Sequence, residues 1–403
     1  MFSYSAEMIL LVLSITVIVS YMFSILSKYI RIPSVLMLLA LGIGLRFWTD
    51  TYQIKPLIPP VITEFLGIAG LVMIILEAGL DLKLTKSKIP VISQSFFSAL
   101  IIFFLGLTGI TTIFYYFLQE PLLQCIIYAI PLSIMSSAIV IPSLHQLTDA
   151  KKEFLVYEAS FSDIIGILVF NYFIEGEILS AISIGGFFVK IVIAIILSVL
   201  LSVLMFVILN KARLNIRFFL VFALLIALYV GGKLLHLPSL IVILVFGLLM
   251  NNWQLVEGKS KRFGKYFSSN EVAETTHFLH SITAESSFLL RTFFFVMFGY
   301  SINLQSLVNN NILLVGSLII VVLLITRYVY LKFFVKERVY PEVVFIPRGL
   351  ITVLLFYKIP QQYKLQNFDE GILFFVILAS SLILMIGMLF YKQPSSSIQE
   401  ENL

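Results

Sequence analysis

The stretch Phe154–Ile174, FLVYEASFSDIIGILVFNYFI, is long and apolar enough to cross a bilayer as a helix, yet it carries a carboxylate, Asp163, near its middle. An ionised side chain at bilayer depth costs at least about 2–3 kcal/mol, so such residues face a protein or water-filled interior and serve transport, proton transfer or pairing. Asp163 is therefore the first functional candidate, and the chain around it reads as a membrane protein.

Composition agrees. Of 403 residues 60% are hydrophobic and only 12% charged, with a mean hydropathy of +1.04, which is outside the range of soluble globular domains. The 27 Lys and Arg against 22 Asp and Glu give a net charge of +5, but the basic residues are scattered between apolar runs and form no patch for nucleic acid. The single cysteine, Cys125, excludes an internal disulfide and a thiolate metal site, and the four histidines show no ligand spacing. No cofactor is expected.

Apolar runs of membrane-spanning length fall near 7–27, 33–49, 61–80, 90–118, 121–146, 153–174, 179–209, 216–233, 237–251, 278–303, 311–333, 341–359 and 370–391. They predict an all-α polytopic membrane protein of thirteen helices. The first run has a long apolar core, no preceding basic region and no evident cleavage site, so it reads as a membrane helix rather than a signal peptide.

Lys and Arg in short loops favour the cytoplasm. After odd-numbered segments stand eighteen: Lys28, Arg31, Lys83, Lys86, Lys88, Lys151, Lys152, Lys211, Arg213, Arg217, Lys259, Lys261, Arg262, Lys265, Lys332, Lys336, Arg338 and Lys392. After even-numbered segments stand five: Arg46, Lys55, Lys233, Lys358 and Lys364. This bias places the N-terminus outside and the C-terminus in the cytoplasm.

An internal repeat sharpens the class. The second segment opens Ile32-Pro33-Ser34-Val35 and the ninth Leu237-Pro238-Ser239-Leu240. The third ends Gly79-Leu80-Asp81-Leu82-Lys83-Leu84 and the tenth Gly299-Tyr300-Ser301-Ile302-Asn303-Leu304. Each pair is seven segments apart, an odd number, so the copies run through the membrane in opposite directions. The expected organisation is a membrane domain over 1–391, with repeat one at 1–175, a linker helix at 179–209 and an inverted repeat two at 216–391, then a short polar tail at 392–403. Inverted repeats of this kind are a transporter design. They make the fifth and twelfth segments counterparts, and both carry helix-breaking chemistry: Pro131, Ser133, Ser136, Ser137 and Pro142 in one, Pro347-Arg348-Gly349 in the other. Either these are ordinary proline kinks, or they are broken, crossing helices whose free backbone lines an ion site.

These residues resemble the monovalent cation:proton antiporters, nearest the sodium/proton exchanger (NhaP-like) branch. Glu158-Ala159-Ser160-Phe161-Ser162-Asp163 resembles that branch's Glu-Ser-x-Phe-Asn-Asp element, Leu76-Glu77-Ala78-Gly79-Leu80 its Phe-Glu-Ala-Gly-Leu stretch, and Arg348-Gly349 its Arg-Gly element. Ser136-Ser137-Ala138-Ile139-Val140 is similar to the unwound segment of a sister branch. The resemblance implies that Asp163 binds the transported alkali cation or a proton. It also implies that Glu158 pairs with Arg348 across segments six and twelve, and that the protein is a homodimer with a mobile core of segments 5, 6, 12 and 13 on a fixed scaffold. Ser162 stands where exchanger-like members carry Asn and electrogenic members carry Asp. With one carboxylate left, exchange of one cation, Na+ or K+, for one proton moves no net charge. Burial favours the protonated carboxyl and a dehydrated cation opposes it, so competition for one site couples the fluxes.

Glu158 lies five residues before Asp163, about 140° around an α-helix, so the two cannot both point at one ion. Ser136, Ser137 and Ser162 offer neutral oxygens to a cation, or bond their own backbone. Glu77 either attracts cations near the cytoplasmic end of its helix or contacts Lys83. Glu285 is either a funnel acid or a residue at a helix end reaching for water, while Lys190 and Arg327 read as packing or snorkelling residues. Lys259, Lys261, Arg262 and Lys265 would suit anionic lipid. Two other classes compete: a sodium-coupled symporter of an organic anion on the same repeat design, and an intramembrane enzyme acting on lipid-linked substrates, for which the short outer loops leave little room.

Overall fold

The computed structural model describes residues 6–30, 33–51, 60–144, 147–174, 181–211, 218–234, 239–252, 269–302, 309–335 and 339–391. Outside them lie Ile32, Leu237 and Pro238 of the first repeat pair, Asn303 and Leu304 of the second, the basic loop Lys259, Lys261, Arg262 and Lys265, and the polar tail from Lys392.

The first half of the chain forms α1 (Ala6–Ile30), α2 (Ser34–Thr51), α3 (Pro60–Asp81) and α4 (Ile89–Leu118). The fifth segment splits into α5 (Leu122–Ser133) and the single turn α6 (Ser137–Val140), and α7 (Asp149–Ile174) carries Asp163. Then come α8 (Ala181–Lys211), α9 (Phe218–Leu234), α10 (Ser239–Asn251), α11 (Ser269–Ser301) and α12 (Asn310–Tyr330). The twelfth segment keeps only α13 (Leu350–Tyr357) as α-helix, and α14 (Glu370–Phe390) closes the membrane part. All thirteen apolar segments are thus helical, and no strand occurs among the described residues. Seven of the described helical stretches are long and apolar enough to span alone. The broken twelfth segment, with eight residues in α13, is completed by a 3-10 turn at Glu342–Val344 and the irregular chain that follows it.

Where lipid tails are as apolar as leucine, close backbone packing rather than water exclusion joins helices, and small residues permit it. Two glycine seams do this. In one, Gly42 of α2 meets Gly299 of α11: a Cβ on Gly42 would strike the Val296 carbonyl, and one on Gly299 the Leu39 carbonyl. In the other, Gly79 of α3 meets Gly247 of α10, where a Cβ on Gly79 would lie 2.6 Å from the Leu244 oxygen and one on Gly247 2.8 Å from the Leu76 oxygen. The seams are one contact repeated. Gly79 and Gly299 are the matching glycines of the repeat, while Gly42 follows Pro33, and Gly247 follows Pro238, by nine residues (42 − 33 and 247 − 238). The second segment packs on the tenth as the ninth packs on the third, as an inverted repeat requires.

The two breaks, Ile134–Ser136 and Phe345–Gly349, are buried throughout. Non-helical backbone survives at this depth only if its polar groups are satisfied within the protein. Every backbone N–H in both breaks finds an acceptor. Ile134 N–H reaches the Pro131 carbonyl at 3.4 Å and Ser136 N–H the Pro347 carbonyl at 3.0 Å, while Met135 N–H donates to Ser162 Oγ at 2.9 Å. In the other break Phe345 and Ile346 donate to the carbonyls of Glu342 and Val344 at 3.1 and 2.9 Å. Arg348 N–H donates to Ser380 Oγ at 3.1 Å and Gly349 N–H to Thr352 Oγ1 at 3.3 Å; Pro347 has no N–H to satisfy. The Ser136–Pro347 bond joins one break directly to the other, so these are crossing broken helices and not simple kinks.

Overpacking a close seam costs about 1–3 kcal/mol. We expect Gly42→Ala, Gly299→Ala, Gly79→Ala and Gly247→Ala each to lower the melting temperature of the detergent-solubilised protein by several degrees. Gly44→Ala, whose Cβ meets nothing within 4 Å, should melt as wild type or higher. Equal melting of all five variants would contradict the seams.

Candidate functional site

Asp163 lies in the middle of α7 and is 2% exposed. The side chain reaches the first break, where Ser137 Oγ donates to Oδ2. Oδ1 is buried with no hydrogen-bond partner among the described residues, and so is Ser136 Oγ in the break itself. On its other side Asp163 opens into a small cavity lined by Ile74, Ile75 and Ala78 of α3, Leu240 and Leu244 of α10, and Ile351 of α13. The carboxylate therefore sits between the broken helices and the seam that joins α3 to α10. A buried carboxylate oxygen without a donor is costly unless a proton or a cation occupies it. Among the described residues no three His, Cys, Asp or Glu side chains converge. The oxygens here are one carboxylate, hydroxyls and backbone, a set suited to a monovalent cation rather than to the carboxylate-rich shells of divalent ions.

Ser162, the neighbour of Asp163, uses its Oγ to accept from Met135 N–H. Its hydroxyl thus closes the break, which is a backbone role. Ser136, Ser137, Ser162 and Asp163 are brought together by α6, the first break and α7.

The expected Glu158–Arg348 pair is corrected. Glu158, 1% exposed, is instead gripped by Arg327 of α12, 1% exposed: Nη2 lies 2.8 Å from Oε2 and Nη1 3.1 Å from Oε1. Ser98 Oγ of α4 adds a bond at 2.5 Å to Oε1, and Arg327 Nε donates to the Glu342 carbonyl at 2.6 Å. The physical reason is that the Arg327 guanidinium on α12 meets the carboxylate as a fork with two parallel bonds, with Ser98 adding a third. Arg327, read from sequence as a packing or snorkelling residue, is a fully buried ion-pair partner. Glu342 extends this network by pairing with Lys151 at the start of α7. Arg348 is 2% exposed; its Nε and Nη1 have no hydrogen-bond partner among the described residues. It lines a second small cavity with Ser133, Glu158, Ser162 and Arg327.

The accessory acids lie apart from this centre. Glu77 pairs with Arg291 of α11 at 3.3 Å, not with Lys83. One turn later on α3, Asp81 meets His280 at 2.7 Å. Glu285 accepts from the Tyr21 hydroxyl at 2.5 Å on an exposed face between α11 and α1. Sequence reading missed Ser380 and the pairing of Arg327 with Glu158. Arg327 had a signal, being a lone cation inside the apolar run 310–330, but sequence distance does not choose between two arginines for one glutamate.

Comparison with known proteins agrees with this geometry. Residues 13–390 match the family described as "Sodium/hydrogen exchanger, transmembrane". No curated protein matches the chain by sequence. Two solved structures of the sodium proton antiporter MjNhaP1 from Methanocaldococcus jannaschii share the fold. One, at pH 8, has 18% identity and a TM-score of 0.70, covering 96% of this chain and 99% of that one. The other, from electron microscopy, has 18% identity and a TM-score of 0.66, covering 97% and 100%. The match over nearly the whole length, on a fold with crossed broken helices and a buried carboxylate, places the chain in the sodium/hydrogen exchanger family, as a multi-pass membrane cation:proton antiporter and not an enzyme.

Proposed function

We propose that this protein exchanges Na+ for H+ by alternating access, with Asp163 as the single group that holds either ion, so that exchange is one for one and electroneutral. The observation that carries the reading is the buried Asp163 carboxylate, bonded through Oδ2 to Ser137 and, at Oδ1 beside the crossing, without a hydrogen-bond partner among the described residues. A protonated Oδ1 is neutral and tolerates burial; an ionised one needs a cation of equal charge, with hydroxyl and backbone oxygens replacing its water. The two occupants exclude each other, and that exclusion is the coupling. Sodium is favoured over potassium by the family and by the sodium proton antiporter that shares the fold. The single carboxylate supports electroneutrality.

Around this site the remaining proposals follow from the chain's asymmetry. The basic-residue bias supports an N-terminus outside and a C-terminus in the cytoplasm. The glycine seams suit a fixed scaffold of α2, α3, α10 and α11, against which α5, α6, α7, α13 and α14 move. A homodimer is proposed from the family resemblance. Glu158 and Arg327 then act as a brace: they neutralise each other at depth and tie α7 to α12 without touching the ion.

Two experiments test this reading. In proteoliposomes with an imposed pH gradient, Na+ should collapse the gradient in wild type and not in Asp163→Asn. The rate should be unchanged when a potassium ionophore clamps the membrane potential. Collapse by K+ alone would move the ion assignment to potassium, dependence on potential would overturn electroneutrality, and Na+-driven uptake of an organic anion without proton movement would favour a symporter. For the brace, breaking a buried pair costs about 3–5 kcal/mol because the survivor is left uncompensated. Glu158→Ala and Arg327→Ala should each sharply reduce folded protein, while Glu158→Leu combined with Arg327→Leu recovers much of it. Normal yield from both single variants would remove the brace.

A further inference from the structure

We infer that Ser380, on α14, is a positioning residue of the exchange site: its hydroxyl holds the second break in the register that lets the first break present Ser137 to Asp163. The inference deepens the Asp163 reading and rests on it for its link to transport. It starts from an equivalence in geometry. Ser162 Oγ on α7 accepts from Met135 N–H in the first break at 2.9 Å. Ser380 Oγ on α14 accepts from Arg348 N–H in the second break at 3.1 Å. The helices are counterparts in the two repeats, and so are the breaks. Each serine is followed by a buried residue with an oxygen lacking a partner among the described residues, Asp163 in one helix and Ser381 in the other. The second repeat thus keeps the hydroxyl that supports the break but has a neutral residue where the first has the carboxylate.

The route from Ser380 to the ion is short. Its acceptor fixes Arg348, the residue after Pro347. The Pro347 carbonyl takes the Ser136 N–H at 3.0 Å, and Ser137, next in the chain, bonds Asp163. Gly349 completes the contact from the other side, because a Cβ there would fall 2.5 Å from Ser136 Oγ. Ser380 is fully buried, so without its hydroxyl the Arg348 N–H has neither the serine nor water to bond. Release of that donor frees the Pro347 carbonyl to drift from Ser136, and the first break loses its partner. Ser380 touches no ion. Its removal should therefore slow the conformational cycle more than it weakens cation binding.

The test uses the full-length protein. Hydrogen–deuterium exchange across the peptide containing Arg348 and Gly349 reads the cap directly, and proteoliposome transport gives the maximal rate and the cation KM. In Ser380→Ala, exchange at that peptide should rise and maximal rate should fall, each by roughly tenfold, the equivalent of one hydrogen bond, with KM for Na+ within about threefold of wild type. Ser380→Thr, which keeps the hydroxyl, should restore both, and Ser380→Cys, which keeps the volume with a weak acceptor, should fall between. Wild-type exchange in Ser380→Ala, or a Ser380→Thr protein as impaired as Ser380→Ala, would overturn the assignment. Asp163→Asn separates the two readings: it should lose transport yet keep wild-type exchange at Arg348. Persistent transport in that variant sinks the Asp163 reading while the exchange data still judge Ser380.

Discussion

The hydrogen bond from Ser136 N–H to the Pro347 carbonyl ties together two stretches of unwound backbone inside the membrane, and much of the rest of the architecture serves to make it possible. Lipid offers no partners for free peptide groups, so an unwound segment must be enclosed and completed by protein. Pro131 precedes the first break and Pro347 lies within the second, serines on α7 and α14 accept from their backbone N–H groups, and Gly349 leaves space for Ser136. The outer helices, seamed by Gly42–Gly299 and Gly79–Gly247, bring α3 and α10 against the open side of Asp163. The fold thereby buries a carboxylate with one oxygen that has no hydrogen-bond partner among the described residues, the group proposed to take a proton or an alkali cation.

Buried charge is divided between two tasks. Glu158 and Arg327 pair with each other through two parallel bonds, and Ser98 and the Glu342 carbonyl add one bond to each, so the pair holds helices together. Asp163 is left incomplete. Their positions on α7 keep these tasks apart, since residues five apart face different directions around the helix. Arg348 stands between them, buried, with its backbone N–H held by Ser380 and part of its guanidinium facing the small cavity beside Glu158. Its backbone is committed to the crossing, while Arg327 takes Glu158.

Much of this was legible in the sequence because the membrane imposes simple rules. Apolar run length located the thirteen segments but not the splits within the fifth and twelfth, and the Pro33/Pro238 and Gly79/Gly299 pairs pointed to the inverted repeat. The breaks were visible in Pro131 and in Pro347-Arg348-Gly349. The choice between kinks and crossing helices was not, because it depends on a bond between residues more than two hundred positions apart. Gly42 and Gly247 were one step further along a repeat already found, each nine residues after its proline; only the observed contact gives them meaning. Partner choice was the least legible feature. Arg327 and Arg348 are both arginines in apolar surroundings, and which of them meets Glu158 is set by how α4, α7 and α12 pack. Ser380 was hidden for a related reason: a hydroxyl in a membrane helix usually bonds its own helix, as Ser380 does by donating to the Ile377 carbonyl, and nothing local marks one that also accepts from a neighbour.

The central claim is that one carboxylate holds the cation and the proton in turn. Proton release on cation binding measures it most directly: purified protein in weakly buffered detergent solution, titrated with Na+ at a pH where the empty site is protonated. One proton should be released for each cation bound, with apparent affinity weakening as pH falls, and none should be released in Asp163→Asn. Cation binding without proton release, or release that persists in Asp163→Asn, would contradict it.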